Sequence, residues 1–280
     1  TERTGESIAG QASRVFCVPI LSGIIGTLQS KYLPVGDMNA GDLRIELTFA
    51  NVADGVVKTG ASAGARSWSV SDVELMCEFV ELNSEAAKMI SAQNAGGYVI
   101  SFDSFQTYSS TVEQGATNMN VLIPARVSSL KTLFTIIRAQ DMFGNVAEKT
   151  ISQRVNPFQN SGEFYYSISG KNIPSTPVKT DAEAFAELSK SLHAFGTVEA
   201  TSMITRSNWE GADGTYIISA DTETLAHKSK VTESGINTLS ANTYLIGKFT
   251  GALGKAVRLD TFVHMDGILL VQNGLCSTQF

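Results

Sequence analysis

From Asp42 the chain alternates: Leu43, Ile45, Leu47 and Phe49 fall on one side, while Arg44, Glu46 and Thr48 fall on the other. A two-residue period marks a half-buried strand, because successive side chains of an extended chain point to opposite faces. The pattern returns at Val73, Leu75, Cys77 and Phe79 against Glu74, Met76 and Glu78. Between the two lie the Gly-, Ala- and Ser-rich residues 60–67, which read as an exposed loop. Further strands are predicted over residues 98–105, 120–124, 132–139, 164–169, 215–220, 244–249, 257–265 and 268–272, all short and bounded by Gly, Pro, Asn or Ser. With the first two, that makes ten. Met265-Asp266-Gly267 supplies a turn or bulge, so the last pair is either a hairpin or one strand bent at Asp266.

Two helices are predicted. Asn83 or Ser84 caps a short one that runs through Ala92, and Thr180 with Glu183 forms a capping box for a longer one ending at Gly196. In the second, Phe185, Leu188 and Leu192 share a face, opposite Glu183, Glu187 and Lys190. Alternating β-α units would need many more helices, so the fold class is mainly β: a jelly-roll β-sandwich, one elaborated or two in tandem, with short helices in the connections. Residues 1–13 are rich in Gly, Ser and charge and suit an arm that orders on a neighbouring subunit. The organisation expected is an N-terminal arm and first strand over residues 1–30 and a first sandwich over 31–160. A second sandwich, or a continuation with a helical insertion at 181–195, follows over 161–280.

Composition changes this picture in one respect. Charged residues are 17% of the 280-residue chain and hydrophobic residues 43%, against roughly 25% charged in an average soluble protein. A chain so poor in charge buries unusual area or carries surfaces meant for copies of itself. The net charge is -6 and no basic run follows the pattern of phosphate binding, which argues against sequence-specific nucleic-acid reading. No apolar stretch approaches a membrane span, since residues 18–25 are interrupted by Pro19, Ser22 and Gly23. Residues 1–14 lack the pattern of a secretory signal, and a chain opening on Thr1 fits a processed or truncated N-terminus.

Candidate chemistry is sparse. Cys17, Cys77 and Cys276 are too scattered for a disulfide framework or zinc site and read as small buried hydrophobes of a reducing compartment. His193, His227 and His264 stand apart in sequence. His193 falls in the last turn of the second helix, where a cation favours the dipole, and His227 in the polar loop 221–230. His264 lies near Asp260 and Asp266, yet no second His, Cys or Glu stands at ligand spacing. Asp213-Gly214 and Asp266-Gly267 are turn dipeptides before they are acid-base candidates. Residues 23–26 lack the Lys-Ser/Thr of a phosphate-binding loop. Phe164, Tyr165 and Tyr166 lack flanking cations for base stacking and are expected to divide between core and interface. The expectation is a non-enzyme with no catalytic, cofactor-binding or metal residues and no cofactor.

Several phrases carry a resemblance. Leu33-Pro34-Val35-Gly36, Asp42-Leu43-Arg44-Ile45-Glu46-Leu47, and the predicted strand 73–82 passing into a short helix resemble the opening of a jelly roll in major capsid proteins of eukaryotic DNA viruses. Ile123-Pro124-Ala125-Arg126 before Ser128-Ser129-Leu130-Lys131 is similar in style, as is the closing stretch from Arg258 through His264 to Leu270. The resemblance covers most of residues 15–275. It implies a single or, more in keeping with that group, a double jelly roll, in subunits that trimerise and tile an icosahedral shell. A double jelly-roll subunit is usually longer, and sixteen strands would be wanted where ten are predicted.

That family would make this a structural capsid protein of the virion, assembled inside the host cell. Its partners would be copies of itself and other capsid proteins such as penton or minor proteins. A rival is a glycan- or receptor-binding sandwich using the loops 60–67 and 207–214, where Trp209 and Asp213 could hold a sugar. A cupin-like enzyme would need clustered histidines.

Overall fold

The computed structural model describes residues 12–20, 22–26, 31–38, 43–49, 67–94, 96–143, 154–159, 161–192, 206, 209, 216–223 and 235–280. Its strands are β1 (Tyr98–Val112), β2 (Asn118–Ile123), β3 (Leu130–Ala139), β4 (Glu163–Ile168), β5 (Lys171–Val178), β6 (Ile218–Asp221), β7 (Thr243–Lys248), β8 (Val257–Gln272) and β9 (Leu275–Gln279). The helices are α1 (Ser84–Gln93) and α2 (Asp181–Ser191). The chain is mainly β, as its periodicity predicts.

One sheet has the order β1-β8-β3-β6, with β9 added against β8, and the other has the order β2-β7-β4-β5. From β1 to β8 the chain changes sheet at every connection except the β4-β5 hairpin. That interleaving is the double Greek key of an eight-stranded jelly roll. Each sheet takes strands from both sides of residue 160.

The chain divides into two compact units, one of residues 1–41, 96–104 and 267–279 and the other of residues 42–95, 105–266 and 280. In the first, Ile100, Phe102, Leu269 and Val271 are buried, and the Tyr98 hydroxyl donates to the Asp37 carboxylate. At Gly267 an added Cβ would lie 2.6 Å from the Phe102 ring, so any side chain there would force that ring to shift.

In the second unit the inward residues of both sheets interlock. Leu133 and Ile137 of β3 and Leu259 and Val263 of β8 meet Ile123 of β2, Phe164 and Tyr166 of β4 and Leu245 of β7, all buried. The Tyr166 hydroxyl crosses the core to donate to Thr135 Oγ1 (2.8 Å), which lies 2.9 Å from Thr261 Oγ1. Burial raises the Tyr166 pKa well above that of free tyrosine, only partly offset by the hydrogen bond to Thr135. The phenol therefore stays neutral and fixes the spacing of the sheets.

Both helix starts follow their predicted capping chemistry. Asn83 Oδ1 accepts from the Ala86 amide (2.7 Å), and Thr180 and Glu183 form the reciprocal box. α2 stops at Ser191, short of Gly196, and residues 193–200 lie outside the described set. Residues 257–272 form one strand rather than a hairpin.

Two strands escaped the sequence pattern. β5 carries Pro174 and Pro177, which removes ladder donors, and it is tolerated because β5 ends its sheet's order. β9 follows Asn273 and Gly274, both at positive φ (52° and 76°), the two-residue turn that closes a tight hairpin. Ser169 and Gly170 (51° and 79°) close β4 onto β5 likewise.

Two predicted strands and three cysteine placements are corrected. Residues 43–49 and 73–79 are not strands and are largely exposed. Alternation favours an extended chain, but a strand also needs a neighbour to take its backbone hydrogen bonds. Cys17, Cys77 and Cys276 are all exposed rather than buried. The first two lie on stretches outside the sheets, and the third on the fully exposed strand β9.

Candidate functional site

Across the outer side of the β1-β8-β3-β6 sheet, antiparallel pairing sets Arg138 of β3 beside Arg258 of β8, and Ile136 beside Asp260. Asp260 is buried, and its carboxylate accepts from Ser109 Oγ (2.5 Å), from Arg258 Nε (2.9 Å) and from Arg138. Burial alone would raise its pKa, but these three donors outweigh it and hold the carboxyl below the usual aspartate value. Both guanidinium groups also lie over the Phe143 ring, 4.7 and 4.5 Å from its centroid. A carboxylate committed to three donors is a clasp between strands rather than a general base.

Further along the same two strands the register slips, so that Leu130 pairs with Met265 and Thr132 with His264. Lys131 is thus the extra residue of a bulge, a geometry that re-aims a side chain. Its buried ammonium lies 3.2 Å from Asp266 and 3.9 Å from Glu223. Asp266 also accepts from Ser129 Oγ (2.7 Å). Asp266 therefore belongs to a buried ionic group within a continuous strand, not to a turn.

His264 is half-buried, with its ring stacked on Phe105 (centroids 4.7 Å apart, planes 11° apart). His193, His227 and Asp213 lie outside the described residues, as do positions 60–66 of the predicted loop. Trp209 is buried, donates its indole N–H to the Ile217 carbonyl (3.0 Å) and packs against Phe185 and Tyr216. It is core and offers no face to a sugar. Among the described residues, no group of three or more His, Cys, Asp or Glu is placed to hold a metal ion. Nor is any helix among them long and apolar enough to cross a membrane.

The outer side of the β2-β7-β4-β5 sheet is different. Asn118, Lys248 and Glu163 share one rung, Asn120, Ile246 and Tyr165 the next, and Leu122, Tyr244 and Ser167 the third. A shallow hollow of about 550 Å³ lies over the first two rungs. The aromatic run 164–166 divides as its alternation requires: Phe164 and Tyr166 enter the core and Tyr165 faces out into this hollow. The third exposed feature lies outside both sheets. Leu43, Leu47, Phe49, Trp68, Val70, Val73, Leu75, Met76, Phe79, Val80 and Leu82 are all exposed. Among these described residues the Phe49 and Trp68 rings meet, edge to face at 5.5 Å.

No protein-family model and no curated protein sequence matches the chain. Solved structures do. The chain is similar to one in a quasi-atomic model of the PBCV-1 virus capsid, at 10% identity and a TM-score of 0.40, covering 65% of this chain and 51% of that one. Similarity to the Sputnik virophage structure has 9% identity and a TM-score of 0.36, over 66% and 39% of the two chains. For the mavirus major capsid protein the figures are 9%, 0.33, 65% and 41%. The chain thus spans about half the length of the first of these or less, and likeness at this level assigns no function.

Proposed function

We propose that this chain is a non-catalytic structural subunit that assembles with copies of itself into the capsid of a virion. Three uses of a jelly roll compete: metal-dependent cupin chemistry, glycan binding and shell building. Cupin chemistry calls for a gathered set of metal ligands, and the described residues hold none. The glycan reading placed Trp209 and Asp213 in the loops 60–67 and 207–214; Trp209 is sealed in the core, while Asp213 and most of both loops lie outside the described residues.

The observation that carries the proposal is the eleven exposed large apolar side chains within the described residues 43–49 and 67–82. Soluble monomers rarely expose so many large apolar side chains on two neighbouring stretches of sequence, whereas a subunit that meets its neighbours does. The low charge of the chain fits the same use. In this reading the functional unit is a homotrimeric capsomer within an icosahedral lattice, contacted by penton or minor proteins, and it reads no nucleic-acid sequence.

Light scattering of the purified chain, with electron microscopy of whatever forms, tests the proposal. Trimers or larger closed assemblies are expected. A strict monomer at high concentration would remove the shell reading.

A further inference from the structure

We propose that residues 67–82 of one copy dock on the outer face of the β2-β7-β4 strands of the next copy, so that the subunits join head to tail. The inference rests on the shell reading and names the surfaces that would build it.

The docking segment is both apolar and acidic. Met76 and Phe79 are 90% and 82% exposed, and Val73, Leu75 and Val80 are exposed beside them. Asp72, Glu74, Glu78 and Glu81 punctuate the same stretch and are exposed too. Every described residue from 67 to 82 is exposed, so the hollow of its own copy does not hold it.

The receiving face complements it in shape and charge. Its hollow is floored by Tyr165 and Ile246 and flanked by Asn118, Asn120 and Lys248. Half-exposed Leu122 extends the apolar strip along β2. Lys179, largely exposed, pairs with Glu163 at 3.6 Å, and Lys248 stands on the same rung as Glu163. The rim thus carries two lysines to one glutamate, and an acidic segment finds a net positive edge.

Extended, residues 72–81 reach about 30 Å, enough to cross the face lengthwise. With Leu43, Leu47 and Phe49, also exposed, the donor surface can approach the roughly 800 Å² per partner of a stable interface. Symmetric pairing of two copies of the segment is disfavoured, because four carboxylates would face four. Two different surfaces in contact make a heterologous interface, which gives a ring where its rotation closes and an open filament where it does not.

The test is charge exchange in the full chain, read by analytical ultracentrifugation across a concentration series. Lys248→Glu alone and Glu74→Lys with Glu78→Lys should each raise the concentration needed for assembly by about 10-fold or more. All three together should return it close to the starting value. Lys179→Glu provides a second variant of the receiving face, and unchanged circular dichroism shows that the fold is kept. Assembly that is indifferent to the single-surface variants, or that the combination does not restore, overturns the docking inference and leaves the shell reading in place. An unaltered chain that never assembles overturns both.

Discussion

β7 and residues 73–79 are both strands by their sequence pattern, and they end in opposite environments. In β7 the inward Thr243, Leu245 and Gly247 are buried, and the strand is hydrogen-bonded to β2 on one side and β4 on the other. In residues 73–79, Val73, Leu75 and Phe79 fall on one side by strict alternation and all remain exposed. The difference lies in the neighbours. Apolar alternation makes one face available for burial, and only an opposing layer converts it into stability.

That contrast can be broken most sharply in the core. Leu133→Ala or Leu245→Ala, each at a fully buried site, should cost about 2–5 kcal/mol in denaturant unfolding. A cost near zero would mean that the sandwich interior is not packed as described.

Asp260→Asn should cost about 2 kcal/mol, less than the roughly 3–5 kcal/mol of a fully buried ion pair, because the two arginines are partly solvated. The same site sets a pH dependence. Its folded pKa is lowered, so its stabilisation is complete above the unfolded aspartate value and fades as pH falls through the folded one. Unfolding midpoints of the native chain should therefore drop below about pH 4. Asp260→Asn should lose less over that window, and an identical acid profile would contradict the clasp.

Thr180→Ala, which removes the α2 cap, should cost about 1 kcal/mol by thermal unfolding. At the other extreme, Leu75→Ala and Phe79→Ala should change the unfolding of the unassembled chain by no more than about 0.5 kcal/mol. A core-sized loss at Phe79 would show that residues 73–79 already have a partner within their own chain.

Much of the sandwich was legible because its signals are local. The strand periods within 98–272, the Asn83 cap and the Thr180-Glu183 box each act over a few residues, and each is present. The Asn273-Gly274 turn was equally local and would have revealed β9. Burial was not legible in the same way. Trp209 looks like a binding aromatic until Phe185, Tyr216 and the Ile217 carbonyl enclose it. Asp266 looks like a turn residue until the bulge at Lys131 delivers an ammonium to it.

Sequence alone determined which stretches would be extended, where the helices would start, and that the chain would be mainly β with few charges to spend on its surface. Tertiary structure decided which extended stretches became strands, how they interleave into a jelly roll, and which polar groups close on one another in the interior. The physical reason is range. Backbone preference and side-chain alternation act between neighbours in the chain, whereas hydrogen-bond ladders and desolvation need partners brought from far along it, as when Ser109 meets Asp260 or Ser129 meets Asp266.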